Sequence, residues 1–251
     1  MKIKNKLMTG AILLAFIPVI IASYSISRFA SHSANETINL QAERQLTSIR
    51  DITAESIESY FSTIRNQILT FSNDRMIMDA MREYKAAFNE YVGETSPNIE
   101  QQKELLAEYY QNEFSKKYQE LNIGSTLDIS DLMQGLDTES IALQYQYIRK
   151  NQYPIGEKDA LVMADDGSRY SQLHNKFHPH IRDYLQRFGY YDIFLVDSDT
   201  GDIIYSVFKE LDYSTSLIDG PYANSGIAEV FKKANQLETA EGVVLTDFAP
   251  Y

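Results

Sequence analysis

The sequence reads as an α+β protein: an N-terminal transmembrane helix, a long helical region, then a small antiparallel sheet with flanking helices. Three observations carry this reading. No charge falls between Lys6 and Arg28; apolar residues recur at helical spacing through most of the first 150 positions; and two short β-branched runs flank a turn near residue 200.

The span comes first. Leu7 to Ser27 reads LMTGAILLAFIPVIIASYSIS, and roughly 20 helical residues cover a hydrocarbon core of ~30 Å. Pro18 is tolerated there as a kink. Lys2, Lys4 and Lys6 precede the span and only Arg28 closely follows it, which places the N-terminus in the cytoplasm. Tyr24 and Phe29 suit the outer aromatic belt. The expected organisation is a cytoplasmic tail over 1–6 and a transmembrane helix over 7–29, with the bulk of the chain periplasmic or extracellular. A cleaved secretory signal, with Ala22, Ser23 and Ser25 as small residues at the cut, is the rival reading. The length of the apolar run and the helical pattern that continues from Ser31 favour the uncleaved anchor.

From Ser31 onward apolar residues fall at Leu46, Ile49, Ile52, Ile57, Tyr60, Phe61, Ile64, Ile68 and Phe71, one imperfect helical stripe interrupted at Thr53. Ser72, Asn73 and Asp74 are cap-type residues. Ile77, Met81, Tyr84, Phe88 and Tyr91 then alternate at steps of four and three, predicting a second helix. Gly93 to Pro97 breaks it, with Ser96 as the next N-cap. Leu105, Tyr109, Tyr110, Phe114, Tyr118 and Leu121 carry a third stripe, closed by Gly124, and a shorter helix is expected from about Thr138 to Lys150. The helical region thus occupies 31–150.

The remaining residues, 151–251, change character. Tyr170, Leu173, Phe177, Ile181, Tyr184 and Phe188 keep one face through Pro179, predicting a kinked helix ended by Gly189. Asp192–Asp197 (DIFLVD) and Ile203–Phe208 (IIYSVF), separated by SDTGD, predict a hairpin. A helix over about 225–234 and a strand over 242–248 complete the expected pattern, with a sheet still incomplete at Tyr251.

Composition narrows function. The chain carries a net charge of −12, and four of its 23 basic residues lie at or before the outer end of the span, whereas all 35 acidic residues lie beyond it. So acidic an exported region excludes a nucleic-acid role. Cysteine is absent, which removes disulfides and thiolate metal sites.

No catalytic residue is assigned. Asp199-Thr200-Gly201 matches the aspartic-protease triplet, but no apolar run leads directly into it and no second copy supplies a partner carboxylate. Asp197, Asp199 and Asp202 suggest a cation loop, yet the sixth and twelfth positions counted from Asp197 hold Asp202 and Phe208 where an EF-hand needs Gly and Glu. His174 and His178 share a helical face without an evident third ligand, so they read as polar-face histidines, and no metal or cofactor is expected. The mixed aromatic, cationic and anionic residues on or beside the strands, Tyr205, Phe208, Lys209, Tyr213, Asp247 and Tyr251, are the candidate binding residues for a small polar ligand.

GYYDIFLVDSDTGDIIYSVFKELDYSTSL from Gly189 to Leu217, with VVLTDFAPY at the end, resembles the extracytoplasmic sensor regions of bacterial methyl-accepting chemotaxis proteins. The order of membrane helix, long helix and hairpin-bearing sheet is similar to the Cache class, whose modules have a PAS-like antiparallel sheet. This resemblance implies a ligand-sensing input region, without enzymatic activity of its own, for a small-molecule ligand. Membrane-bound cyclases and histidine kinases carry similar regions, and a secreted binding protein is the remaining alternative. The helices over 72–150 exceed what a simple Cache module needs and read as an inserted subdomain. A second membrane helix, a HAMP-type linker and contacts to cytoplasmic signalling partners are expected only beyond Tyr251. The long stripe makes a parallel homodimer plausible.

Overall fold

Hydrophobic patterning of period 3.6 dominates the chain, and in the computed structural model, which describes residues 3–123 and 129–247, the result is mostly helix with one two-stranded antiparallel sheet. The chain divides into Met1–Arg65 and Asn66–Tyr251.

The first unit belongs to helix α1 (Ile3–Ser72), which buries none of its residues. It contains a segment long and apolar enough to cross a membrane. Beyond it, Leu46, Ile49, Ile52, Ile57 and Tyr60 lie in the same helix as expected and are exposed, so among the described residues nothing covers the stripe.

The second unit starts in the last two turns of α1. Asp74 opens α2 (Arg75–Thr95) by accepting the Met76 N–H at 2.7 Å, satisfying a donor that the first turn leaves free. Ile77, Tyr84, Phe88 and Tyr91 of the predicted seam are buried, with Ala80 and Ala87 between them. Ser96 does not cap the following helix: it sits at φ 45° as the C-cap of α2, and Asn98 caps α3 (Ile99–Tyr109) instead. A π-turn over Tyr110–Phe114 then leads into α4 (Ser115–Leu121). That extra residue per turn rotates the face. Tyr109 and Tyr110 of the predicted stripe are buried, but beyond the turn the stripe fails and Leu121 is exposed; upstream of it, Leu106 rather than Leu105 is buried. Gly124, expected to close this helix, lies outside the described residues.

Two short helices follow, α5 (Ile129–Gln134) and α6 (Thr138–Gln144), the latter capped by Asp137 and continued by a second π-turn over Tyr145–Arg149. Helix α7 (Arg169–Phe188) passes through Pro179 and stops at Gly189, whose φ of 71° allows its N–H to reach Leu185 O at 2.9 Å. It packs against α2, which also contacts α6 and strand β2.

Strands β1 (Phe194–Val196) and β2 (Ile203–Ser206) form the predicted hairpin, with Leu195 opposite Tyr205 and a bulge between Leu195 and Val196. In its turn Gly201 N–H bonds Asp197 O at 2.8 Å. Gly201 has φ 77°, and a Cβ there would stand 2.8 Å from Ile218 Cγ1. Gly201→Ala therefore combines a left-handed alanine with a steric clash and is expected to destabilise the protein by about 2 kcal/mol in urea unfolding.

Helix α8 (Gly226–Ala234) lies near its predicted place, capped by Ser225. The strand expected over 242–248 is not formed: residues 242–247 take no regular structure and Phe248 lies outside the described residues. The physical reason is the edge. Ile203 N–H bonds Thr215 O and Ser214 N–H bonds Ile203 O, so the free side of β2 is already occupied by the chain at 214–216.

Candidate functional site

Of the six residues proposed from sequence, the fold brings three into one buried cluster. Tyr205 leaves β2, Lys209 follows it by one turn, and Tyr213 returns from the next loop. Lys209 is 2 % exposed and adopts φ 57°, a left-handed conformation held by its N–H on Ser206 Oγ at 2.8 Å. Its ammonium donates to the carbonyls of Ser206 and Val207 and lies 4.8 Å from the ring centroid of Tyr205, 5.8 Å from Tyr213 and 5.9 Å from Tyr147. Three of the candidate binding residues thus face one another, with Lys209 enclosed by aromatic rings. Phe208 sits half-buried at its margin and stacks near Tyr191. Asp247 is exposed on the irregular tail and is no part of this cluster, and Tyr251 lies outside the described residues.

Burial pushes the Lys209 ammonium below the usual lysine range, and Asp192 and Asp159 partly restore it. Burial also raises the phenols of Tyr147, Tyr205 and Tyr213, so they meet Lys209 as neutral rings. The sequence missed Tyr147, which comes from the second π-turn; a tyrosine at that distance in the chain carries no local sign that it closes a box.

Above the box lie His174 and His178, stacked with ring centroids 4.2 Å apart. They are not polar-face histidines; both are buried, because α7 turns this face toward the core. A carbonyl can only accept, so His178 Nε2–H donates to Asp159 O at 2.7 Å and Nδ1 accepts the Tyr205 hydroxyl at 2.7 Å. His174 Nδ1–H donates to Val162 O in the same way, and its Nε2, like the Tyr84 hydroxyl, has no hydrogen-bond partner among the described residues. Desolvation lowers His178 to about 2 and His174 well below the usual range, helped by the Lys209 charge. Among the described residues no group of three His, Asp or Glu is placed to hold a metal. The acidic hairpin turn is likewise accounted for internally: Lys85 of α2 bonds Asp197 at 2.8 Å and Asp199 at 2.5 Å.

The open space is elsewhere. A cleft of about 320 Å³ is walled by Ile68 and Phe71 from the last turn of α1, by Tyr184 of α7, and by the run from Tyr190 into β1. Gln67 ties these walls together, accepting the Tyr190 hydroxyl on its side chain at 2.6 Å and the Tyr184 hydroxyl on its carbonyl at 3.1 Å. Phe71 and Tyr184 lie 4.5 Å apart, and Tyr184 stacks on Tyr190. The one charged residue on the wall is Asp192. Its Oδ1 accepts the N–H groups of Ile193 and Val207 at 2.6 and 2.9 Å, and Phe208 N–H is shared between Oδ1 and Oδ2 at 3.3 Å, the one hydrogen bond Oδ2 receives among the described residues. Desolvation holds this carboxyl above its usual range, against the pull of those N–H groups and of Lys209. Asp192 thus joins the cleft to the buried box electrostatically.

Set beside protein-family profiles, characterised proteins and solved structures, the chain matches none.

Proposed function

We propose that this chain is the ligand-sensing extracytoplasmic input region of a transmembrane receptor of the chemoreceptor kind, with a Cache-like, PAS-related sensor module. The observation that carries the reading is that the end of α1, the helix whose N-terminal part is long and apolar enough to cross a membrane, also supplies one wall of a strongly apolar cleft. An occupant there touches α1 directly. Such contact biases one of two arrangements by whatever difference in affinity it has for them, and no covalent chemistry is required. The exposed stripe from Leu46 to Tyr60 suits a second copy packed in parallel, as in a dimeric receptor. A membrane cyclase or histidine kinase would use the same input region with a different output.

The absence of cysteine makes the placement directly testable. Lys4→Cys and Glu104→Cys are introduced singly and exposed to a membrane-impermeant maleimide in intact cells. The expected result is labelling of E104C at once and of K4C only after permeabilisation, with a mass that includes the intact N-terminus. A mature chain beginning near Ala22–Ser25 would instead establish the secreted binding protein, and labelling of K4C alone would reverse the topology.

A further inference from the structure

Neutral apolar ligands need no carboxylate, and a buried carboxylate without a cation is costly. The cleft has both an aromatic and aliphatic lining and one charged group, Asp192, whose Oδ2 is the less saturated oxygen. Around neutral pH no cationic side chain lines the cleft to answer it. The Lys209 ammonium is committed to the carbonyls of Ser206 and Val207 inside its own box and acts on Asp192 only through space.

From this we infer that the cleft binds a small organic ammonium with an aromatic or branched apolar body. The body packs between Phe71 and Tyr184 on one side and the Ile193 side on the other, and the ammonium donates to Asp192 Oδ2. A volume of about 320 Å³ lies at the small end of ligand sites, which excludes lipids and peptides of any length. Anions are disfavoured by Asp192, and the electrostatic preference is strengthened by the low dielectric that the apolar walls create. Because Asp192 also receives N–H groups from Val207 and Phe208 at the end of β2, an ammonium here is linked to the hairpin as well as to α1.

This assignment deepens the sensing reading and rests on it for its biological role, but binding is measured independently of signalling. The full chain in lipid nanodiscs is titrated calorimetrically with phenethylamine, 2-phenylethanol and phenylacetate, with empty nanodiscs as the blank. Phenethylamine is expected to bind at least tenfold more tightly than 2-phenylethanol, and phenylacetate more weakly than either. Asp192→Asn keeps an acceptor for the backbone N–H groups and is expected to remove the amine's tenfold advantage while leaving the alcohol unchanged. Ile68→Trp fills the cleft, leaves Asp192 intact and is expected to abolish binding of all three. Equal affinity for amine and alcohol, an equal loss of both in D192N, or no binding by any probe would overturn the inference. In the last case the sensing reading still stands for some other ligand and site.

Discussion

Lys209→Ala is expected to destabilise the protein by about 4 kcal/mol in urea unfolding of the full chain. The truncation leaves a hollow among Tyr147, Tyr205 and Tyr213 and strips the carbonyls of Ser206 and Val207 of their shared donor. Cavity formation accounts for roughly 2–3 kcal/mol and each abandoned buried carbonyl for about 1 kcal/mol more. Lys209→Met separates the two contributions. It keeps the stem and the left-handed backbone position at φ 57° while removing a charge that is costly to bury. K209M is expected to recover at least half of the loss. If both variants match the parent, the box is not a structural centre.

Acidification from pH 7 to pH 5 is expected to cost about 2–3 kcal/mol of stability. The sign follows from proton counts. His174 and His178 are held neutral in the folded protein far below 6.5, whereas in the unfolded chain they protonate as pH falls through 6.5. The unfolded state therefore binds more protons below 6.5, and each histidine withdraws about 1.4 kcal/mol per pH unit until its folded value is reached. Asp192 acts in the other direction: its carboxyl is raised in the fold, so it takes up a proton earlier when folded and offsets part of the loss. His174→Phe, which also removes the unpartnered Nε2, is expected to halve the histidine contribution and so leave a net loss of under about 1 kcal/mol between pH 7 and pH 5, whatever it does to stability at pH 7. An unchanged slope would show that His174 does not stay neutral in the fold.

What the sequence disclosed depended on how local each cause is. The long apolar helical stretch at the N-terminus, the seam of α2, the stop at Gly189 and the hairpin follow from composition and spacing within a few turns of chain, and they can be read directly. The π-turns at Tyr110–Phe114 and Tyr145–Arg149 cannot, since an extra residue in a turn leaves the residue types unaltered while moving Leu121 off the core face and Tyr147 onto it. The missing final strand shows the same limit, because the edge it would need is taken by 214–216, a tertiary outcome. At the site, Tyr205, Lys209 and Tyr213 were recognisable as an aromatic and cationic group beside strands. That they enclose Lys209 itself depends on φ at one residue. The role of Asp192 was hidden because its partners, Val207 and Phe208, lie across the hairpin, and the cleft joins the end of α1 to α7 and β1, which lie more than a hundred residues further along the chain.

Occupancy of the cleft is expected to be felt by α1. Amide hydrogen exchange of the full chain in nanodiscs, with and without saturating phenethylamine, tests it most directly. At least tenfold slower exchange is expected at Gln67 to Ser72, where the cleft wall and α1 coincide, together with a measurable change within Leu46–Arg65. Calorimetrically verified binding that leaves the exchange of both stretches unchanged would contradict it.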